Sequence, residues 1–123
     1  MVRELACADH LDTTHYGDFF SDADLWRMAT SNAADAVGAG VWLGRLEEGA
    51  VADIAIFDGS RAAHHRAVIE ADGSAVALVL RGGIPLKGEQ TVLDDLGSDC
   101  EPVDVCGAAH AICADQEYGV PYA

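Results

Sequence analysis

The residues with the clearest capacity for chemistry are three cysteines and a histidine near the end of the sequence. Cys100, Cys106, His110 and Cys113 follow the spacing C-x5-C-x3-H-x2-C. Zinc accepts such a ligand set, although the tight C-x2-C pair of most structural zinc sites is missing. Closely spaced cysteines are also typical of disulfides in exported proteins. We expect a disulfide ahead of a zinc site, with free buried thiols as a third interpretation. Cys7 is either the partner of the leftover cysteine or a core thiol.

A second group of possible metal ligands lies near the start of the sequence. It consists of Asp9, His10, Asp12 and His15. The two histidines are five positions apart, whereas side chains that share one helical face are three or four apart. This spacing favours a polar loop over a metal site.

The remaining histidines give no recognisable catalytic pattern. His64 and His65 are adjacent, which directs their side chains apart, and with Arg66 they are predicted to lie in a solvated surface loop. The sequence has no G-x-S-x-G motif that would support Ser-His-Asp catalysis. It has no glycine-rich phosphate loop either, since Gly82-Gly83 is better explained as a hairpin turn.

Composition excludes several classes of partner. The 123 residues include 7 basic and 21 acidic ones, for a formal charge of −14, so nucleic acid and anionic membrane surfaces would be repelled. Half of the residues are hydrophobic, which predicts a folded domain with a modest core. No apolar run is long enough to span a bilayer, and the first residues lack the features of a signal peptide. Only the tail cysteines favour an extracytoplasmic parent protein.

The first third of the sequence predicts helices. Apolar spacing favours a helix from Val2 to about Leu11, followed by a loop from Asp12 to Ser21. Ser21 and Asp24 resemble a capping box at the start of a longer helix that Gly38 ends. One stripe of that helix carries the apolar residues Leu25, Met28, Ala29, Ala33, Ala36 and Val37.

The middle of the sequence predicts strands. We expect them at Val51–Phe57, Ala67–Ala71 and Ala75–Leu80, the last buried on both faces. Gly82-Gly83 then predicts a hairpin into Ile84-Pro85-Leu86, which should be an edge strand because proline cannot donate to a ladder. After Thr91 the pattern weakens into an acidic, cysteine-bearing tail.

Two consecutive motifs resemble a known signature. Ala29-Thr30-Ser31-Asn32-Ala33-Ala34 contains T-x-N-x-A, and Gly44-Arg45-Leu46-Glu47-Glu48-Gly49-Ala50-Val51-Ala52-Asp53 fits G-x-L-x-x-G-x-x-A-D before a hydrophobic strand. In that order they resemble the C-terminal signature of the amidohydrolase superfamily, and Val79–Leu86 resembles the closing hairpin of that family. The resemblance covers roughly residues 1–90. Several motifs in order are more specific than any one alone.

The resemblance implies a barrel enzyme that hydrolyses carbon–nitrogen bonds other than peptide bonds with one or two divalent metal ions, zinc or similar. The family's metal ligands include an H-x-H pair, further histidines and a late Asp, and the metal lowers the pKa of a bound water. This sequence has no H-x-H, and a barrel needs about 250 residues. We therefore expect no catalytic, cofactor-binding or metal-binding residue here, and no activity from the chain alone.

The resemblance implies an α+β fold that is one part of a larger protein. Residues 1–40 would be the last helices of a TIM-like barrel, and residues 41–90 the C-terminal half of the family's composite β-sandwich. Residues 91–123 would be the acidic, cysteine-bearing tail. The chain should then need the missing N-terminal or barrel portion, or associate with itself through open strand edges. The alternative is a free-standing acidic interaction or binding module, stapled at its tail by a disulfide or zinc.

Overall fold

The computed structural model describes residues 2–114, and of Val2 the backbone only. The chain forms two compact units. The helical unit comprises Met1–Val51 and Gly59–Asp72, and the sheet unit comprises Ala52–Asp58 and Gly73–Ala123. Short helices and one antiparallel sheet make the fold α+β. None of the helices in residues 2–114 is long and apolar enough to cross a membrane.

The helical unit has a small apolar core. Its elements are α1 (Val2–Leu11), a π-helical turn (Asp12–Tyr16), α2 (Asp22–Ala29), α3 (Ser31–Ala36) and α4 (His65–Ile69). Leu5 of α1, Leu25 of α2 and Ile69 of α4 meet as a buried cluster, with Ala8, Ala29 and Val68 packed against it. The predicted α1 is confirmed. The predicted loop after it begins with a π-helical turn.

The single helix predicted through Leu25 and Val37 is wrong, because the chain breaks at Thr30. There φ is −122° and ψ is −100°, so α2 ends and α3 begins. The predicted ends are confirmed. Ser21 and Asp24 form a capping box. At the other end Gly38, with φ of 75°, donates to the carbonyl of Asp35, a bond typical of a left-handed helix stop.

The sheet unit contains five antiparallel strands. They are β1 (Ile54–Phe57), β2 (Val76–Arg81), β3 (Ile84–Glu89), β4 (Glu101–Val105) and β5 (Ala108–Ile112), in the spatial order β1-β2-β3-β5-β4. A 3-10 turn (Gly73–Ala75) precedes β2, and α5 (Gln90–Asp95) follows β3. Leu78, Leu93, Ala111 and Cys113 form the core of this unit. Leu93 of α5 therefore packs against β2 and β5.

The hairpin predicted at Gly82-Gly83 is confirmed. Arg81 pairs with Ile84, so the two glycines are the whole turn. Their φ values of 57° and 84° are both positive, as a type I′ turn requires. The strand predicted at Ala75–Leu80 is also present as β2, but only Val76 and Leu78 are buried among its six residues. It is therefore not buried on both faces.

Two strand predictions are wrong. The first three residues of the strand predicted at Ala67–Ala71 lie in helix α4, in which Ile69 is fully buried against Leu5 and Leu25. A short apolar run fits either structure, and here packing between helices decides. The strand β3 is interior rather than an edge. Pro85 is tolerated because β5 pairs only with the residues from Lys87 to Glu89.

The region after Thr91 is more regular than its sequence pattern indicates. It contains most of α5 and the whole β4–β5 hairpin, which adds two strands to the β3 side of the sheet. Residues 115–123 of the predicted tail lie outside the described part of the chain.

Candidate functional site

The strongest electrostatic cluster of the helical unit surrounds the Arg66 guanidinium. Arg66 Nη1 donates to both carboxylate oxygens of Asp9 at 2.9 Å, and Arg66 Nε donates to Asp22 Oδ2 at 3.0 Å. Arg66 Nη2 also donates to Asp22 Oδ1. Glu70 Oε1 lies 3.9 Å from Arg66 Nε. This cluster joins α4 to α1 and α2.

The Arg66 cluster is structural rather than catalytic in its chemistry. The hydrogen bonds to Asp22, followed by those to Asp9, raise the pKa of Arg66 above its ordinary value, against the opposing effect of partial burial. The guanidinium therefore remains charged, and its donors are engaged by carboxylates. A group in this state cannot transfer a proton near neutral pH.

The possible ligands Asp9, His10, Asp12 and His15 have separate roles. Asp9 pairs with Arg66, whereas Asp12 is buried and accepts from the backbone amides of Phe19 and Phe20 at 3.2 and 3.0 Å. The His15 ring nitrogen Nδ1 lies 2.8 Å from the hydroxyl of Thr14. The polar-loop interpretation places these side chains at the surface, yet Asp12 is inside and stabilises the turn after α1.

The predicted surface loop around His64 and His65 is wrong in part. His64 is exposed with φ of 55° and precedes α4, but His65 is the first residue of that helix. The His65 ring lies 4.9 Å from that of Trp26, at an angle of 45°. The expected solvation therefore describes His64 alone.

The four tail residues do not converge on one point. Cys100 and Cys113 are joined by a disulfide, with 4.4 Å between their Cα atoms, so neither offers a thiolate to a metal. Cys106 is a free, exposed cysteine in the β4–β5 turn, and Cys7 is also free and exposed. His110 is 1% exposed, and its ring nitrogens lie 3.3 Å from the carbonyl oxygens of Ala108 and Val76. Of the three interpretations of the tail cysteines, the disulfide is the one that the structure contains.

The donor groups that the structure describes do not fit a divalent metal. Within residues 2–114 no group of three or more His, Cys, Asp or Glu side chains is placed to hold a metal ion. The carboxylates of Asp9 and Asp12 already accept hydrogen bonds from the protein, and the Cys100 and Cys113 sulfurs are bonded to each other.

The motif residues hold elements of the fold together. A Cβ at Gly44 would lie 2.8 Å from Ala34 Cβ and 2.9 Å from Thr30 O, so only glycine allows the chain to pass this close to α3. Asp53 Oδ1 accepts from the Gly82 amide at 2.7 Å, so this exposed carboxylate bonds to backbone that is 29 positions away in sequence. Gly49 has φ of 89° and supplies a turn. Asn32, in α3, is exposed.

Comparison with known proteins identifies the family. The model of the amidohydrolase family matches residues 4–91, well over half of the chain. The chain therefore belongs to the amidohydrolase family. Comparison with curated proteins and with solved structures finds no significant match. The match ends just after β3, so α5, β4 and β5 lie almost entirely beyond it.

The sequence pattern predicts a solvated surface loop at Arg66, whereas the residue lies in α4 and pairs with Asp9 and Asp22. The chain has only 7 basic residues against 21 acidic ones, so a basic residue beside an apolar run has many possible acidic partners. This excess of acidic residues was the signal in the sequence that a basic residue such as Arg66 would form ion pairs. It did not identify Asp9 and Asp22, because they are distant in sequence and lie on other helices.

Proposed function

We propose that this chain is the C-terminal, non-catalytic part of a metal-dependent amidohydrolase that hydrolyses carbon–nitrogen bonds other than peptide bonds. The metal ligands and the activated water would belong to a barrel portion that the 123 residues do not contain. The observation that carries the proposal is the family match over residues 4–91, in which the motif residues Gly44 and Asp53 have structural roles. Neither contributes a free acid, base or nucleophile.

In this proposal residues 1–40 are the last helices of a TIM-like barrel and residues 41–90 are half of a composite β-sandwich. The helices α1 to α3 and the strands β1 to β3 support this division, because they follow the order that the family resemblance implies. A barrel helix needs the rest of the barrel to bury its apolar face. Exposed apolar side chains within residues 1–40 support such a need: Leu11, Tyr16, Phe19, Phe20, Met28 and Val37.

The open edge of β1 supports the proposed dependence on a partner strand. β1 lies at one end of the sheet and reads Ile-Ala-Ile-Phe, without a charge. The other end, β4, contains Glu101, Pro102 and Asp104, residues that discourage further pairing. The proposed partner of β1 is a strand from the missing N-terminal portion or, without it, from a second copy of the chain.

The activity is tested with the chain alone. Purified protein is loaded with zinc, manganese or iron and assayed on amides, hydantoins and amino-substituted bases, beside a mock purification that lacks the chain. We expect no metal-dependent turnover above the mock sample. Turnover that is abolished by chelation and absent from the mock sample would contradict the proposal.

The partner strand is tested by light scattering and urea melts, with and without an N-terminal segment from a related amidohydrolase. Ile56→Lys places a charge on the open edge strand, whereas Ile84→Lys is the matched control on β3, since the two isoleucines are 48% and 50% exposed. We expect the first variant, but not the second, to lose association. Equal association of both variants would exclude pairing through β1.

A free-standing acidic interaction module is the second candidate function. The observation in its favour is that α5, β4 and β5 complete the sheet almost entirely beyond the family match, with a disulfide in their core. A cooperative melt of a monomer, independent of concentration, would favour this candidate. The genomic DNA upstream also separates the two: a barrel sequence with H-x-H favours the first, and a promoter and ribosome site favour the second.

We further propose an oxidising, extracytoplasmic compartment for the parent protein. The Cys100–Cys113 disulfide supports this location, because structural disulfides persist where thiols are not kept reduced. Mass spectrometry of protein alkylated directly in cells, without reductant, would show the disulfide intact. Four alkylated thiols would place the protein in a reducing compartment.

A further inference from the structure

The Cys100–Cys113 disulfide closes the open end of the β4–β5 hairpin. Glu101 and Ile112 are the outermost residue pair of that hairpin, and the two cysteines are the next pair along the same register. Their 4.4 Å Cα separation matches a non-hydrogen-bonded pair of antiparallel strands, which is about 4.5 Å. The disulfide is therefore a covalent cross-link between the two strands, at the end of the hairpin opposite the turn.

Apart from the disulfide, β4 is held by a ladder of five residue pairs with β5, from Glu101–Ile112 to Val105–Ala108. Among the described strands β4 is at the edge and pairs with β5 alone, and none of its five residues is buried. The turn that leads out of it places Cys106 in a left-handed conformation, with φ of 55°, which a non-glycine residue adopts at a cost. Without the disulfide, β4 would be attached to the described part of the sheet through its ladder with β5.

The strand β5 differs from β4 because it pairs on both sides, with β4 and with β3. Its ladder with β3 has three residue pairs, from Lys87–Ile112 to Glu89–His110, and the Cys113 amide donates to the Leu86 carbonyl at 2.9 Å. Cys113 is fully buried in the core cluster of the sheet unit. The disulfide transmits this anchoring from β5 to Cys100 and so to the start of β4.

We infer that the Cys100–Cys113 disulfide is a redox-controlled lock on the β4–β5 hairpin. In the oxidised form it holds β4 on β5. In the reduced form the hairpin opens from the cysteine end, since the loop constraint on residues 100–113 is lost. The lock involves residues beyond the family match and does not depend on the proposed hydrolase origin.

The reducing partner is a dithiol, and the exchange balances within the two molecules. One thiolate of the dithiol attacks the Sγ of Cys100, the less buried residue of the pair, and the Cys113 sulfur leaves with the bonding electron pair and takes a proton. The second thiol of the reductant then attacks its own sulfur in the mixed disulfide. Cys100 is released as a thiol, and the reductant becomes a disulfide. Two electrons and two protons pass to the protein.

The positions of the sulfurs confine the thiol–disulfide exchange to Cys100 and Cys113. Cys113 is fully buried, so the attack on its sulfur is blocked and a thiolate there is poorly solvated, which favours the closed form. The remaining thiol of the hairpin, Cys106, lies at the far end of β4. Five residues of strand span about 17 Å, well beyond disulfide reach. Cys106 cannot exchange with the pair while the hairpin is folded.

Hydrogen–deuterium exchange of the whole chain, followed by mass spectrometry, tests the lock with dithiothreitol as the probe. On reduction we expect exchange in β4 and β5 to accelerate at least tenfold, while α1, α2 and β2 change less than twofold. Oxidised glutathione should restore the original rates. Cys106→Ser is the matched control and should respond as the natural chain does.

The results of this experiment can either support or contradict the inference. Unchanged exchange in β4 and β5 on reduction would overturn it, as would equal acceleration in β2 and the helices, because a global staple is not a local lock. The double variant Cys100→Ser and Cys113→Ser should show the open pattern without dithiothreitol. If that variant does not fold, the reversible comparison of the natural chain decides alone.

Discussion

The carboxylate of Asp53 accepts a hydrogen bond from the backbone amide of Gly82, with 2.7 Å between Asp53 Oδ1 and the amide nitrogen. One residue on, the Gly83 amide donates to the Ala52 carbonyl at 2.9 Å. The two bonds tie the segment that enters β1 to the turn between β2 and β3. The aspartate of the family motif therefore fixes a hairpin that lies far away in sequence.

Replacing this carboxylate should destabilise the sheet unit. Asp53→Ala removes the acceptor of the Gly82 amide, and a hydrogen bond to a charged group at an exposed site contributes about 1 kcal/mol. We expect the free energy of unfolding in urea to fall by about that amount. Asp99→Ala removes the same charge from an exposed loop position and is the control. Equal losses in both variants would attribute the effect to net charge.

Two motif glycines should differ in their tolerance of a methyl group. Gly44→Ala creates contacts under 3 Å with Ala34 and Thr30 in addition to a strained φ of 84°. Gly49→Ala has a similar φ of 89° and nothing within 4 Å. We expect about 1 kcal/mol for the second, from backbone strain, and about 2 kcal/mol more for the first, from overpacking. Urea melts measure both, and equal costs would exclude the steric explanation.

Removing the cation that joins three helices should destabilise the helical unit. Arg66 is 32% exposed and its partner Asp9 is 23% exposed, so the pair is partly shielded from solvent. We expect Arg66→Ala to cost about 2 kcal/mol, between the values of exposed and buried pairs. Arg61→Ala is the control, because Arg61 is 72% exposed and 3.6 Å from Asp72. Its cost should stay below about 0.5 kcal/mol.

The capping box at the start of α2 should respond to pH. The Ser21 side chain, then the Ser21 backbone amide and Arg27, hold the pKa of Asp24 below its ordinary value of 3.8. Since the folded pKa is the lower one, the stabilisation is complete above pH 3.8 and is lost as pH falls through the lowered value. We expect Ser21→Ala to raise the pKa of Asp24 in an NMR titration. Ser21→Thr keeps the hydroxyl and should leave it low.

Local signals in the sequence predicted three boundaries of elements correctly. The capping box at Ser21, the helix stop at Gly38 and the turn at Gly82-Gly83 each depend on residues within a few positions of one another. Glycine at a left-handed position and a serine before a helix act through their own backbone. Such features are visible without knowledge of the fold.

Features that depend on distant residues were not predictable. The break at Thr30 accompanies the close approach of Gly44 to α3, and the helix at Ala67 forms where Ile69 meets Leu5 and Leu25. Nor does periodicity show that β5, which follows β4 in sequence, would lie between β4 and β3. Short apolar runs satisfy more than one such arrangement, and only packing selects among them.

The sequence indicated which cysteines belong to the candidate site, but not which of them pair with each other. The tail sequence indicated cysteine chemistry, but four cysteines allow three complete pairings, and spacing does not choose among them. The hairpin register makes the choice, because it brings Cys100 opposite Cys113 and leaves Cys106 in the turn. Arg66 and its two carboxylates were missed for the same reason, since three helices must assemble before the charges meet.

The different composition of the two edge strands limits how far the sheet can polymerise. A fibre grows without end only if every added molecule presents a new edge that accepts the next one. A copy that docks through β1 would present β4, where Pro102 lacks an amide hydrogen and Glu101 and Asp104 repel an incoming acidic chain. Stacking of strands from copy to copy would terminate at two molecules. The two edges would thus allow limited pairing of copies but not amyloid growth.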